Sequence, residues 1–365
     1  MSHPESLLTY KNCLASQKII LTKDSPRLSL VARHSPSYNI GLYGQVVSPE
    51  EIDQIEIRES KAYRREDQKT QVIFLPENPH IRNRKSHTDE VYDISTVSSE
   101  ILGLNTKLCQ AIALGHDIGH GPAGHLFEKI ALEEGVDFRH EIFSAITAVF
   151  IERNGSGISL TRPTVEGILS HSQSSEKTFN FALQNEYKIV RYSDKIAYIF
   201  ADINDLDRLN AFSREDMNFI NSRFPGDQRC RVGKCISALV QESAQKGFVS
   251  FEESEVAQEF KEVRSMLFGY YQKFDHKVIS ASLKLAIDCI SSIRGLENYD
   301  PILITALMTD KEVDELTNKM RQSIFGRINL TDIKDFGITE IINGDFLRGR
   351  TYKSLESDLV DIINS

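Results

Sequence analysis

Apolar residues recur along this chain at the three-and-four spacing of buried helix faces. Val91, Ile94, Val97, Ile101 and Leu104 form one stripe, and Ile142, Ala145, Ile146, Val149 and Phe150 form another. The first predicts a helix capped by Ser86 or Thr88, with Asp89 and Glu90 at its positive end. The second starts at Phe138-Arg139-His140-Glu141. Ser48-Pro49-Glu50-Glu51 reads as a helix start, with Ser at the cap and Pro in the first position; the helix runs through Ile52, Ile55 and Ile57 towards Arg65. Lys107 to Ile118 is apolar on nearly every side and predicts a buried helix. Arg162-Pro163-Thr164 opens a helix over Val165 to Ser170, and Gln184 to Asp207 is a long helix buried over much of its circumference. Segments 251–273, 275–294, 309–323 and 353–364 have mixed faces of the same period. Only Gln17 to Thr22 reads as a short strand, and Ser35 to Tyr38 and Gly41 to Gly44 read as turns. Leu75-Pro76-Glu77-Asn78-Pro79-His80, Gly155-Ser156-Gly157 and Pro225-Gly226-Asp227 are breaks. The expected fold class is all-α.

Composition narrows the class. The 365 residues suffice for one large domain or two ordinary ones, and 40% apolar with 26% charged residues is a globular balance. No apolar run reaches the roughly 20 residues of a membrane span, and the first residues lack the basic-then-apolar signal-peptide pattern. The scattered cysteines (Cys13, Cys109, Cys230, Cys235, Cys289) suit reduced thiols and a cytoplasmic location. A net charge of −9 argues against broad, sequence-blind nucleic-acid binding, so nucleic acid is not indicated as a partner.

The chemistry concentrates in three regions. Ala111 to Glu128 runs from an apolar helix into His116-Asp117, then His120, His125 and Glu128, with Gly119, Gly121 and Gly124 between them. One histidine at a helix end is ordinarily idle. Three with two carboxylates suit a divalent metal of intermediate hardness. Pro122 can open the following helix. On it, His125 and Glu128 are three apart and share a face, the arrangement of a general acid/base histidine whose tautomer a carboxylate fixes. The second region, 64–87, is a basic patch in an acidic chain. It holds Arg64, Arg65, Lys69, Arg82, Arg84 and Lys85, and it ends at His87 near a helix start. Beside a metal, such arginines suit phosphate oxygens. The third is the helix carrying Asp194, Tyr198 and Asp202 at steps of four, so that they share one broad face. An Asp on an apolar helix needs a partner or a cation. His140 sits at a helix start, where an anion is favoured, and His171 reads as a cation at a helix C-terminus. Arg229, Arg231 and Lys234 form a minor basic cluster. No P-loop and no marked Ser or Cys nucleophile is present.

The order His87, His116-Asp117, Asp194 resembles the HD-domain metal-dependent phosphohydrolases. With Ser60 to Arg65, Lys69 to Val72, His80 to His87, His116 to Glu128 and Ile189 to Asp205, residues 58 to 210 resemble the deoxynucleoside triphosphate triphosphohydrolases, or dGTPase-like proteins. The resemblance implies an HD-domain helical bundle over residues 58–210. Residues 1–57 would precede it as an oligomer contact, and a helical region 211–365 would pack on it. It implies hydrolysis of a dNTP to a deoxynucleoside and inorganic triphosphate, in a homo-oligomer that can take an activating nucleotide. By position, His87, His116, Asp117 and Asp194 would hold a divalent metal: Mn²⁺, Mg²⁺, Fe²⁺, Co²⁺ or Zn²⁺. His125, supported by Glu128, would protonate the leaving 5′-oxygen. His120, His140, Arg84 and Lys195 would contact the phosphates. Tyr198 would pack on the sugar and Asp202 would bond its 3′-hydroxyl. Ala123 and Glu66 depart from the family's usual residues, differences that bear on nucleotide specificity and the oligomer interface. The alternatives are another HD phosphohydrolase, acting on a nucleotide monophosphate, an alarmone or a cyclic dinucleotide, and a nucleotide-sensing regulator without turnover.

Overall fold

The helical periodicity is realised across the described residues. The computed structural model describes residues 48–172, 178–179, 181–323 and 328–364. Among them there are helices and turns but no strand, and Thr70 and Asn83 form an isolated antiparallel bridge. The fold is all-α. The strand expected at 17–22 and the turns at 35–38 and 41–44 lie outside the described residues, as does Cys13. Cys109, Cys230, Cys235 and Cys289 are free thiols. No described helix is long and apolar enough to cross a membrane.

The described residues divide into two compact units built from interleaved segments. One comprises Asp89–Ala113 and Leu183–Phe274. Its core forms where helix Asn185–Arg208 packs on Gln228–Lys246 and Glu255–Tyr271. There Phe200 packs at a tilt on Phe224 and edge-on against Phe260, with ring centroids 5.0 and 6.0 Å apart. The other unit comprises residues 48–88, 114–182 and 275–364. In it, helix His140–Ile146 packs on Arg162–Ser170 and Tyr352–Asn364. Helix Lys277–Ser292 packs on His125–Glu133 and Asp310–Gln322. Ile118, Phe127, Ile142, Phe143, Ile168 and Leu283 are sealed inside this second unit.

Several boundaries move from where the pattern put them, each for a local reason. The helix from Pro49 has the predicted Ser48 cap, completed by Glu51 into a capping box, but stops at Glu59. Ser60 turns extended (ψ 151°) and caps a new helix, Lys61–Arg65. The cap before His87 is neither Ser86 nor Thr88. Asn83 accepts from Ser86 N at 2.9 Å, so the helix begins at Arg84 and His87 lies in its first turn. The apolar helix ends at Gly115 rather than Ile118, which puts His116 and Asp117 on the turn beyond it. Pro122 does not open the next helix, because Ala123 (φ 58°) and Gly124 (φ 59°) are left-handed and the helix starts at His125.

Candidate active site

A turn with no repeating hydrogen bonds needs outside partners, and Ser144 supplies them here. Its Oγ donates to His116 O at 2.8 Å and accepts from Gly119 N at 2.9 Å. This fixes the 116–120 turn against helix His140–Ile146. Gly119 allows the contact, since a Cβ there would stand 2.1 Å from Ser144 N and 2.3 Å from Phe143 C. The turn projects its side chains into a buried cluster of one carboxylate and many imidazoles. Asp117 Oδ2 is 3.5 Å from His116 Nε2 and 3.9 Å from His87 Nε2, and it accepts from the Arg84 guanidinium. Oδ1 is 3.5 Å from His120 Nε2 and 3.9 Å from both His140 Nε2 and His171 Nε2. The His87 and His116 rings lie 5.5 Å apart, and His120 stacks on His140 at 3.8 Å.

Charge in this cluster follows from its contacts. Burial pushes the Asp117 carboxyl up, but His116, Arg84, His120 and His140 outweigh it and hold the group well below the usual carboxylate range. Burial, with the charges of Arg84 and His140, keeps His120 well below its ordinary value, so that ring is neutral. Burial opposes protonation of His140 too, yet Glu128 beside it lifts its pKa to about 9. Glu128 Oε1 lies 2.5 Å from His140 Nδ1 and accepts from His140 N at 3.1 Å, while Oε2 lies 3.0 Å from His125 Nδ1. Those two histidines hold Glu128 ionised despite its burial. His171 Nδ1 faces Ile168 O at 2.7 Å, a pure acceptor, so that nitrogen carries the proton. His171 Nε2, 3.0 Å from His140 Nε2, then accepts from it. His140 is thus an imidazolium that donates to Glu128 on one side and to His171 on the other.

The second unit therefore brings together Arg84, His87, His116, Asp117, His120, His125, Glu128 and His140. Of these, His125 alone faces solvent, with its side chain 73% exposed. The other predicted residues lie in the first unit on helix Asn185–Arg208. Asp194 is part-buried there. Lys195 Nζ sits 5.7 Å from the Tyr192 ring centre, and burial and the Arg264 charge lower its pKa. Tyr198 accepts from Arg264 Nε at 2.7 Å, and buried Asp202 accepts from Tyr271. Helix Glu255–Tyr271 is thus the neighbour of the face that carries Tyr198 and Asp202.

The donor set fits a divalent cation. Ligands about 2.1 Å from one centre are at most about 4.2 Å apart, and Asp117 Oδ2 meets His87 and His116 within that span. Asp117 with His140 and His171 forms another group of donors within 4.8 Å of one another, as do His120, His125 and His140. His120 Nδ1 is buried without a hydrogen-bond partner among the described residues, which is costly unless something further binds there. Sequence reasoning missed three members of this unit. His171 had only the signal of a helix end. Lys69, whose burial lowers its pKa to about 7, donates to His120 O. Asp310, far along the chain, is bonded to Thr70 and Ala123.

An HD domain family model matches residues 84–209, the stretch that carries His87, His116-Asp117 and Asp194. The chain is 36% identical over 220 residues to a deoxyguanosinetriphosphate triphosphohydrolase-like protein of Caldanaerobacter subterraneus subsp. tengcongensis, covering 59% of this chain and 62% of that one. It is 40% identical over 170 residues to a protein of the same description from Clostridium tetani, covering 46% and 48%. A third, from Wolinella succinogenes, is 33% identical over 192 residues, covering 47% and 52%. The chain thus spans about half to three-fifths of the length of the curated relatives it matches. The domain match, the helical fold and these relatives agree: the chain carries an HD domain over residues 84–209 and is similar, over about half its length, to proteins described as deoxyguanosinetriphosphate triphosphohydrolase-like.

Proposed function

We propose that this chain is a metal-dependent phosphohydrolase that cleaves deoxynucleoside triphosphates to deoxynucleoside and inorganic triphosphate. One observation carries the reading: His87, His116, Asp117 and Arg84 converge in a single buried cluster, inside a segment related to proteins described as triphosphohydrolase-like. His87, His116, Asp117 and Asp194 would hold the divalent metal, with Asp194 assigned by its place in the sequence order. When bound, such a metal lowers the pKa of water and neutralises phosphoryl charge.

The protein's own groups do the rest. Arg84 is braced by Thr70 O at 3.2 Å and by the Asp117 carboxylate, so its guanidinium is set before substrate arrives. Arg84, His140 as an imidazolium, His120 and Lys195 receive the phosphate oxygens. His125 is exposed and oriented by Glu128, and it delivers a proton to the leaving 5′-oxygen. Phosphoryl transfer asks mainly for positioning and positive charge of this kind. Tyr198 packs on the sugar and Asp202 accepts from its 3′-hydroxyl. The same reading takes residues 58–210 as the catalytic core of a cytoplasmic homo-oligomer that can respond to an activating nucleotide.

The test is incubation with each dNTP in turn, with Mn²⁺ or Mg²⁺, and chromatography of the products. Tripolyphosphate with deoxynucleoside is expected. Orthophosphate or a linear dinucleotide from other substrates would move the chain to a different HD activity. Nucleotide binding with no turnover would make it a regulator.

A further inference from the structure

Asp310 lies outside the stretch that matches the HD domain, yet both of its carboxylate oxygens are spent on segments of the candidate site. It is the first residue of helix Asp310–Gln322 and is almost fully buried. The helix start needs no help from it, because Thr309 already caps that end and Glu312 closes the capping box. Oδ2 accepts from Thr70 N at 2.6 Å and from the Thr70 hydroxyl, and Oδ1 accepts from Ala123 N at 2.8 Å.

Each arm leads to a group assigned above. On one side, Thr70 O accepts from Arg84 Nε at 3.2 Å, and Lys69 O accepts from Arg84 N at 3.0 Å. The Thr70 backbone is therefore the shelf on which the Arg84 guanidinium rests before it reaches Asp117. On the other side, Ala123 and Gly124 are consecutive left-handed residues immediately before the helix that begins with His125. An alanine in that conformation is strained and persists only where its surroundings over-determine it. The bond from Ala123 N to Asp310 is such a determinant. The two arms also meet: a Cβ on Gly124 would stand 3.0 Å from Arg84 Nη2. Lys69, beside Asp310, donates to His120 O and, at 3.3 Å, to Ala306 O, tying the same loop to the segment that precedes Asp310.

We propose that Asp310 is a positioning residue that sets the distance between the phosphate-binding Arg84 and the proton-donating His125 by clamping Thr70 to Ala123. Its use in turnover rests on the reading of this site as a dNTP triphosphohydrolase. The clamp itself does not, and it is measured separately.

The test uses the full-length chain and Asp310→Asn, which keeps the shape but has one accepting oxygen in place of two. Hydrogen exchange reads the clamp without turnover. Peptides covering 69–72 and 121–126 should exchange at least about tenfold faster, while those covering 140–146 and 162–170 stay as in the wild type. Unchanged exchange at 121–126, or equal acceleration in every peptide, would overturn the proposal. Thr70→Val removes the hydroxyl arm alone and should loosen 69–72 while sparing 121–126. If Asp310→Asn does not fold, this variant decides, and an unaltered 69–72 peptide would then overturn the proposal. For turnover, Asp310→Asn should lower kcat about 10- to 100-fold with metal content unchanged. Combined with His125→Ala, it should cost much less than the product of the two single losses, because each acts on the same proton transfer. Multiplying losses would mean a merely structural role. Failure of the wild type to make tripolyphosphate would sink the functional reading and leave the exchange result to judge the clamp.

Discussion

At the scale of single residues, the cluster separates sealed imidazoles from an exposed one. His116 is sealed among its neighbours, whereas His125 faces solvent with one nitrogen held by Glu128. Under the proposed roles their variants differ in kind. His116→Ala or Asp194→Ala should abolish both metal binding and hydrolysis, measured by metal content after reconstitution and by tripolyphosphate release. His125→Ala should keep its metal and lose about 10²- to 10⁴-fold in kcat, the usual range for a general acid. Loss of metal in the His125 variant would contradict these assignments.

At the scale of elements, the site depends on the 116–120 turn meeting a helix without a side chain between them. Gly119 lies directly on the backbone of Ser144 and Phe143 in helix His140–Ile146. Flexible side chains could yield to an added methyl group, but a helical backbone cannot without shifting the helix. Gly119→Ala should therefore cost about 1–3 kcal/mol or more in a urea titration, and it should weaken metal uptake because His116, Asp117 and His140 separate. A variant with wild-type stability and metal content would show that this packing is looser than described.

At the scale of the whole molecule, stability should depend on pH through a carboxyl that has no part in the proposed chemistry. Asp53 is buried, and burial raises its pKa to about 7 even though Thr161 and Thr164 hydrogen-bond to it. Its ordinary value is near 4. The folded chain thus holds a proton that the unfolded chain releases, and the associated stability is full below pH 4 and lost as pH rises through 7. Asp53→Asn copies the protonated form. Between pH 5 and 8 the wild-type Tm should fall relative to that of the variant; parallel curves would rule the linkage out. Metal acts in the other direction. Chelation should lower Tm and Mn²⁺ restore it by mass action, since only the folded chain presents His87, His116 and Asp117 together.

The sequence by itself determined the all-helical character and most helix centres, and it picked out many of the side chains that gather in the buried cluster. Those signals are local. A stripe at Val91, Ile94 and Val97, or His125 three residues before Glu128, needs nothing beyond helical period to be meaningful. Helix ends were less legible. Gly115 and Gly124 mark them only once the Ser144 contacts and the left-handed pair at Ala123 and Gly124 are known. Tertiary structure alone decided that His171 meets His140 instead of serving as a helix-end cation, and that Lys69 and Asp310 are buried behind the reactive loop. The bond from Asp310 to Thr70 spans 240 positions and the one to Ala123 spans 187. No residue spacing encodes such a pairing. It exists because a buried carboxylate must find donors, and the packing of distant helices fixes which donors are within reach.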